Sequence, residues 1–449
     1  MRTSSERSLV GKQPSFRPAK AAFSPYRVML LVILIFAGVW LIMGVERGQV
    51  RPLFLPTPTP TRTANSYILE ADAYFRTGKL DDPDPALPAP PNPDAIDTYR
   101  RALDTDPNNA SAWAELARIQ TYSITMLSSD AERRARLAQA LESINQAVAL
   151  NPDDSSTHAV RAFVLDWNAS YAAADEVDDL LKEAEGEAVR AYQLDPQNAL
   201  ALAFYAEVLL DQQKWTQAEQ YASQAIALNP NSMDAHRVYA TVLESLGQYN
   251  SAIKEYLRAS EINPNLTFLY VYIGRNYLRL KLYDRALEYY AKAANINEQL
   301  CVKNPLPNLE IAKTYTQQGE FFIASVNAEK ALSYDPTNAN TYGQLGTIMI
   351  KSRNYEGAMA ALKCVVRGCT VAENEVGGVD VNPLALTNST VAYYYYSYGT
   401  VLAFLSRPSQ NYCQEAMQVL GEVRVAFPED DTLQLLLDDS EGICRNLDD

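Results

Sequence analysis

Two histidines, His158 and His236, are all that 449 residues contain. Also missing are a Gly-Lys-Ser/Thr phosphate loop, His-Glu-x-x-His, Gly-x-Ser-x-Gly and Cys-x-x-Cys. The Asp and Glu residues are scattered, with none paired for acid–base work. No catalytic residue, cofactor or metal site is therefore expected, and the chain reads as a non-enzyme. Positive charge is scarce too. Residues 1–51 hold eight Lys/Arg and two Asp/Glu, which leaves 31 basic against 52 acidic residues beyond them, a net of −21. So acidic a body repels phosphate backbones, which argues against nucleic acid as a partner. Cysteine is absent from the first 300 residues; the five present are Cys301, Cys364, Cys369, Cys413 and Cys444. Outside the cytoplasm the economical pairings are Cys364–Cys369 and Cys413–Cys444, the second pinning the C-terminal segment to what precedes it. Buried free thiols are the alternative, and Cys301 stays odd either way.

What the chain has is one long apolar run and a repeat. Residues 28–45, VMLLVILIFAGVWLIMGV, carry no charge. At about 1.5 Å per residue the run spans roughly 27 Å, near the thickness of a bilayer core. A buried core helix would keep a polar face, which this run lacks. A cleaved signal peptide is the rival reading, although the run exceeds a typical signal core and no small-x-small site follows before Glu46. Arg2, Arg7, Lys12, Arg17, Lys20 and Arg27 precede the run, opposed by Glu6, and only Arg47 and Arg51 follow closely. This bias predicts a cytoplasmic tail over 1–27, a single transmembrane helix over 28–45 and a body outside the cytoplasm. Residues 46–63 include alternating Pro and Thr, the composition of an extended linker.

Beyond residue 63 a pattern recurs. Pro107, Pro152, Pro196, Pro230, Pro264, Pro336 and Pro428 each close a helix-like segment. Twelve residues before each lies Ala95, Ala140, Ala184, Ala218, Ala252, Ala324 or Ala416. Five before lies Ala102, Ala147, Ala191, Ala225, Ala259, Ala331 or, in the last, Val423. Two copies without the proline run through Ala286 with Ala293 and Ala358 with Val365, making nine units. Their first halves place Trp113, Leu116 and Ala117; Tyr270, Ile273 and Gly274; and Tyr342, Leu345 and Gly346 at matching steps. Large residues fill the seam of an antiparallel helix pair, while Ala or Gly lets the helices approach to about 8–10 Å. Proline stops each second helix, and the pairs must stack to bury their apolar faces.

At these residues the chain resembles the tetratricopeptide-repeat (TPR) family, whose 34-residue helix–turn–helix carries the pattern W-x2-L-G-x2-Y, A-x3-F and a closing proline. The resemblance implies an all-α, right-handed α-solenoid of about nine helix pairs over 64–430, with a capping helix in 431–449. Insertions are expected near 81–93, 168–178, 299–305 and 367–390, as neutral loops or as contacts to a partner. His158 and His236 fall where Trp113, Tyr270 and Tyr342 sit elsewhere and read as packing residues.

The family binds other proteins, with the first helix of each pair lining a concave groove. Register puts Asp166, Glu207, Asp211 and Glu244 there in units three to five, and Arg275, Arg279, Lys313 and Lys351 in units six to eight. The basic set suits an acidic segment or a C-terminal carboxylate; solvated ion pairs between repeats are the bland alternative. Val271, Arg275 and Glu310 do not reproduce the clamp with which some TPR domains grip chaperone tails. The expected function is a membrane-anchored scaffold that recruits or organises envelope proteins. The alternative is an accessory subunit of an enzyme or biogenesis complex, in cytochrome maturation, polysaccharide export or translocon assistance.

Overall fold

The computed structural model describes residues 24–46, 62–81, 93–374 and 376–448. The tail before residue 24, the linker over 47–61 and most of the first expected insertion lie outside them. The chain divides into two compact units, Met1–Thr61 and Arg62–Asp449.

The first unit contains α1 (Pro25–Glu46). Its apolar side chains point outward all round, with Phe36 and Trp40 both 71% exposed. Pro25–Gly44 is long and apolar enough to cross a membrane, a property that signal sequences share.

In the second unit nine antiparallel helix pairs follow one another among the described residues. They are α2 (Ala64–Arg76) with α3 (Ala95–Thr105), α4 (Ala110–Ser123) with α5 (Asp130–Leu150), and α6 (Ser155–Ala169) with α7 (Val177–Leu194). Next come α8 (Ala199–Asp211) with α9 (Trp215–Leu228), α10 (Met233–Ser245) with α11 (Tyr249–Ile262), and α12 (Thr267–Arg279) with α13 (Tyr283–Gln299). The last three are α14 (Leu306–Gln318) with α15 (Phe321–Tyr334), α16 (Ala339–Lys351) with α17 (Tyr355–Val366), and α18 (Ser389–Leu405) with α19 (Cys413–Ala426). A single helix, α20 (Asp431–Asp448), packs on α18 and α19.

The proline punctuation has a local mechanism. The residue before each proline is the C-cap of a second helix, as at Asp106, Asn151, Asp195, Asn229, Asn263 and Asp335. Proline cannot continue the helix, so the chain turns there. Two residues later a short polar side chain caps the next helix: Asn109, Asp154, Asn198, Ser232 and Asn338 each accept from a backbone N–H of the first turn. A third bond locks the corner. Trp113 Nε1 donates to the Pro107 carbonyl at 2.9 Å, Tyr270 Oη to that of Pro264 at 2.7 Å and Tyr342 Oη to that of Pro336 at 3.0 Å. His158 and His236 make the same contact through Nε2 to Pro152 and Pro230, each at 2.9 Å. The two histidines are thus corner residues.

The seam is as tight as its small residues require. A Cβ built on Gly274 would lie 2.4 Å from the Tyr290 ring, and one on Gly346 2.5 Å from Leu362. Cys364 is bonded to Cys369 and Cys413 to Cys444; Cys301 is free and exposed. The segment between α17 and α18 is held down at several points. Cys369 and Val381 exchange backbone bonds at 3.1 and 2.8 Å, Asn374 Nδ2 reaches Tyr342 Oη at 2.7 Å and Arg367 pairs with Glu422 at 3.0 Å.

Candidate functional site: the concave face

In repeat register, the residues one and five places after the crossing Ala or Gly of each first helix form one face. From α4 to α8 these are Arg118 and Tyr122, Phe163 and Trp167, Glu207 and Asp211. Apart from the exposed Asp211, they meet and fill the space between them. Tyr122 lies 5.1 Å from Phe163 and 5.7 Å from Phe268 between ring centres, and Phe163 stacks on Phe204 at 4.4 Å.

Arg237 of α10 enters this aromatic centre. It grips Glu207 with two bonds of 2.6 Å, Nη1 to Oε1 and Nη2 to Oε2, while its Nε donates to Tyr122 Oη at 3.0 Å. Tyr122 in turn donates to Asp234, which Arg118 also reaches at 3.1 Å. Trp167 Nε1 completes the set on Glu207 Oε1 at 3.1 Å. These contacts join the second pair to the fifth. Two amide bonds extend the closure, from Asn265 to the Thr77 carbonyl at 3.0 Å and from Asn304 to that of Thr125.

The expected acidic stretch of groove therefore takes a different form. Asp166 and Glu207 are buried, at 2% and 7% exposure, and one of the two is neutralised by an arginine that register did not single out. Burial, then the neighbouring charges of Asp211 and Glu207, push the Asp166 carboxyl well above the usual range, against the pull of Arg237. Asp211 is raised to about 6, first by loss of water around its carboxyl group and then by Glu207. Asp166 Oδ1 has no hydrogen-bond partner among the described residues, and both carboxyls are shifted toward the protonated form. Glu244 accepts from Asn276 at 2.9 Å and from Tyr256 at 3.2 Å.

The basic set falls into two groups. Arg275 donates through Nε and Nη2 to the buried Glu310 at 3.2 and 2.8 Å, and Lys313 approaches the same carboxylate at 3.5 Å. A cavity of about 450 Å3 brings Arg275 and Arg279 together with Glu244 and Glu310. Arg279 and Lys351 are exposed and make no ion pair among the described residues. Lys351 lies outside that cavity.

Sequence reasoning missed the aromatic share of this face. Phe404, in the register of Arg279 and Lys351, is 55% exposed and touches Tyr355 at 4.5 Å between ring centres. Tyr393 is 46% exposed beside Tyr396 at 5.9 Å. The run YYYY at 393–396 was the available signal. No group of His, Cys, Asp and Glu able to hold a metal occurs among the described residues.

Residues 206–266 match one family model, and residues 269–300 another, both described as tetratricopeptide repeat. Three solved structures have a similar arrangement. The APC/C hetero-tetramer Cut9–Hcn1 is 15% identical with a TM-score of 0.47, over 85% of this chain and 78% of that one. Yeast Tom70 is 12% identical with a TM-score of 0.45, over 86% and 90%. TTC0263, a thermophilic TPR protein of Thermus thermophilus, is 20% identical with a TM-score of 0.37, over 48% and 100%. None of these says what this chain binds. No curated protein matches the chain. TPR folds generally serve protein–protein interaction and are typically non-catalytic; the two matched segments, within residues 206–300, carry tetratricopeptide repeats and are set among nine stacked helix pairs of the same plan.

Proposed function

We propose that the chain is a membrane-anchored, non-enzymatic scaffold that recruits or organises envelope proteins. Its binding face is the concave surface of pairs six to nine. One observation carries the placement. The face of pairs two to five is filled by its own side chains around Arg237 and Glu207, whereas Arg279 and Lys351 are exposed and unpaired among the described residues, with Tyr393 and Phe404 also exposed. Arg279, Lys351 and Phe404 share one register, and cations beside an open aromatic ring suit an acidic, partly apolar segment of another protein.

The outward-facing apolar side chains of α1 support anchoring, and the basic residues before it support a cytoplasmic tail with the repeats on the other side. Two disulfides in the repeat body fit an oxidising compartment. Co-purification of the full chain with its partners tests the reading, set against a triple variant Arg279→Glu, Lys313→Glu and Lys351→Glu. Loss of the partners with unchanged helix content supports it; undiminished capture by the triple variant overturns it.

A further inference from the structure

Where the second and third pairs meet the sixth and seventh, a cavity of about 360 Å3 opens, at the lower end of the range for ligand pockets. Its walls are aromatic and aliphatic: Trp167 and Tyr171 on one side, Phe268 and Tyr272 of α12 and Leu309 of α14 on the other. Arg133 and Arg275 are the charged groups in its lining, and no carboxylate lines it among the described residues. Arg133 is held by Asp130 at 2.6 Å and by the Leu127 carbonyl at 2.6 Å. Arg275 spends Nε and Nη2 on Glu310, which leaves Nη1 without a bond among the described residues.

The closure of the first turn makes this cavity. Asn304, which lines it, bonds across to the Thr125 carbonyl, so residues 179 apart in the chain frame one opening. The opening is also continuous with the basic surface, because Leu309 precedes Lys313 by one helical turn on the same face of α14. A segment lying along Lys313 and Arg279 therefore passes the mouth of an apolar recess with a cationic rim.

We propose that this cavity receives one large apolar side chain, aromatic or leucyl, flanked by acidic residues on an extended segment of a partner protein. The inference rests on the reading of the basic face above and names the residue that anchors the segment there. Interfaces concentrate affinity in such desolvated apolar anchors, while surrounding charges steer and orient. The electrostatic contacts alone would give weak, salt-sensitive binding; the anchor supplies selectivity between acidic segments.

The test uses fluorescein-labelled short peptides of Asp, Glu and Gly, one with a central Trp and one with Ala in its place. Anisotropy is read with the full chain in detergent. The Trp peptide is expected to bind at least about tenfold more tightly than the Ala peptide. Leu309→Trp, which fills the cavity from the α14 wall, reduces that preference to below about twofold and leaves the Ala peptide unaffected. Ser128→Trp fills it from a loop on the opposite wall and does the same without touching any helix seam. Equal binding of the two peptides to the native chain overturns the anchor while sparing the basic face. A preference that survives both filling variants also overturns the anchor. No binding of either peptide overturns the anchor and the basic face together.

Discussion

Replacing Arg237 with Met tests whether pairs two to five are held by an internal charge rather than kept open for a ligand. The substitution removes two 2.6 Å bonds to Glu207, one 3.0 Å bond to Tyr122 and a guanidinium about 5.5 Å from the Tyr122 and Phe163 ring centres. Glu207 is left as a buried carboxylate with only Trp167 donating to it. Breaking a buried pair in this way costs about 3–5 kcal/mol, most of it the uncompensated charge that remains. Adding Glu207→Gln removes that charge, keeps an acceptor for Trp167 and is expected to recover at least half of the loss.

A stack of repeats need not unfold in one step, so a single melting midpoint would blur the effect. Amide hydrogen exchange resolves it by position. In Arg237→Met, exchange in α8 and α10 should accelerate by at least about a hundredfold, since each ~1.4 kcal/mol is a factor of ten, while α16 to α19 stay unchanged. A change below about tenfold in α8 and α10 would refute the argument. Equal acceleration in α16 to α19 would refute it as well.

Other consequences can be checked separately. The raised carboxyls of Asp166 and Asp211 make the folded state bind more protons than the unfolded one, so stability of pairs three to five should fall as pH rises from about 4 through about 6. Asp166→Asn should flatten that slope in pH-dependent exchange; an unchanged slope assigns it elsewhere. Gly274→Ala places a Cβ 2.4 Å from the Tyr290 ring and should cost about 1–3 kcal/mol by urea unfolding, whereas neutrality would mean the α12–α13 seam is looser than described. Cys413→Ser opens a 31-residue link between α19 and α20 and should weaken α20 docking by about 3–4 kcal/mol in the chain-entropy treatment. Unaltered protection near Ser440, which meets Thr400 at 2.9 Å, would contradict it. Protease added to intact spheroplasts should digest the repeat body; protection until the membrane is broken would reverse the topology.

Much of the fold was legible because its signals are local. A proline that stops one helix, a cap two residues later and an alanine twelve residues earlier all act within one unit, and each copy repeats them. The role of His158 and His236 was legible for the same reason, since Trp113, Tyr270 and Tyr342 occupy the same place. The concave face was legible only in part. Register treats every repeat as equivalent, so it put Glu207 and Lys351 on the same kind of surface. What separates them is closure of the first turn, through contacts such as Tyr122 with Asp234, 112 residues apart in the chain. No short spacing encodes that contact. It depends on how each pair rotates against the next, and α5 and α7, at 21 and 18 residues, depart from the 14-residue helices α9 and α11. Arg237, which sits in none of the expected basic positions, is consequently the residue on which the interior turns.

The most direct test of the account places a photo-crosslinking amino acid on the full chain in cells, at Lys351 in one strain and at Ser245 in another. Both positions are exposed and share one register, but Ser245 borders the filled turn and Lys351 lies on the open face. A discrete adduct is expected from Lys351, with an acidic stretch at the crosslinked peptide of the partner, and none from Ser245. An adduct from Ser245 with none from Lys351 would contradict it.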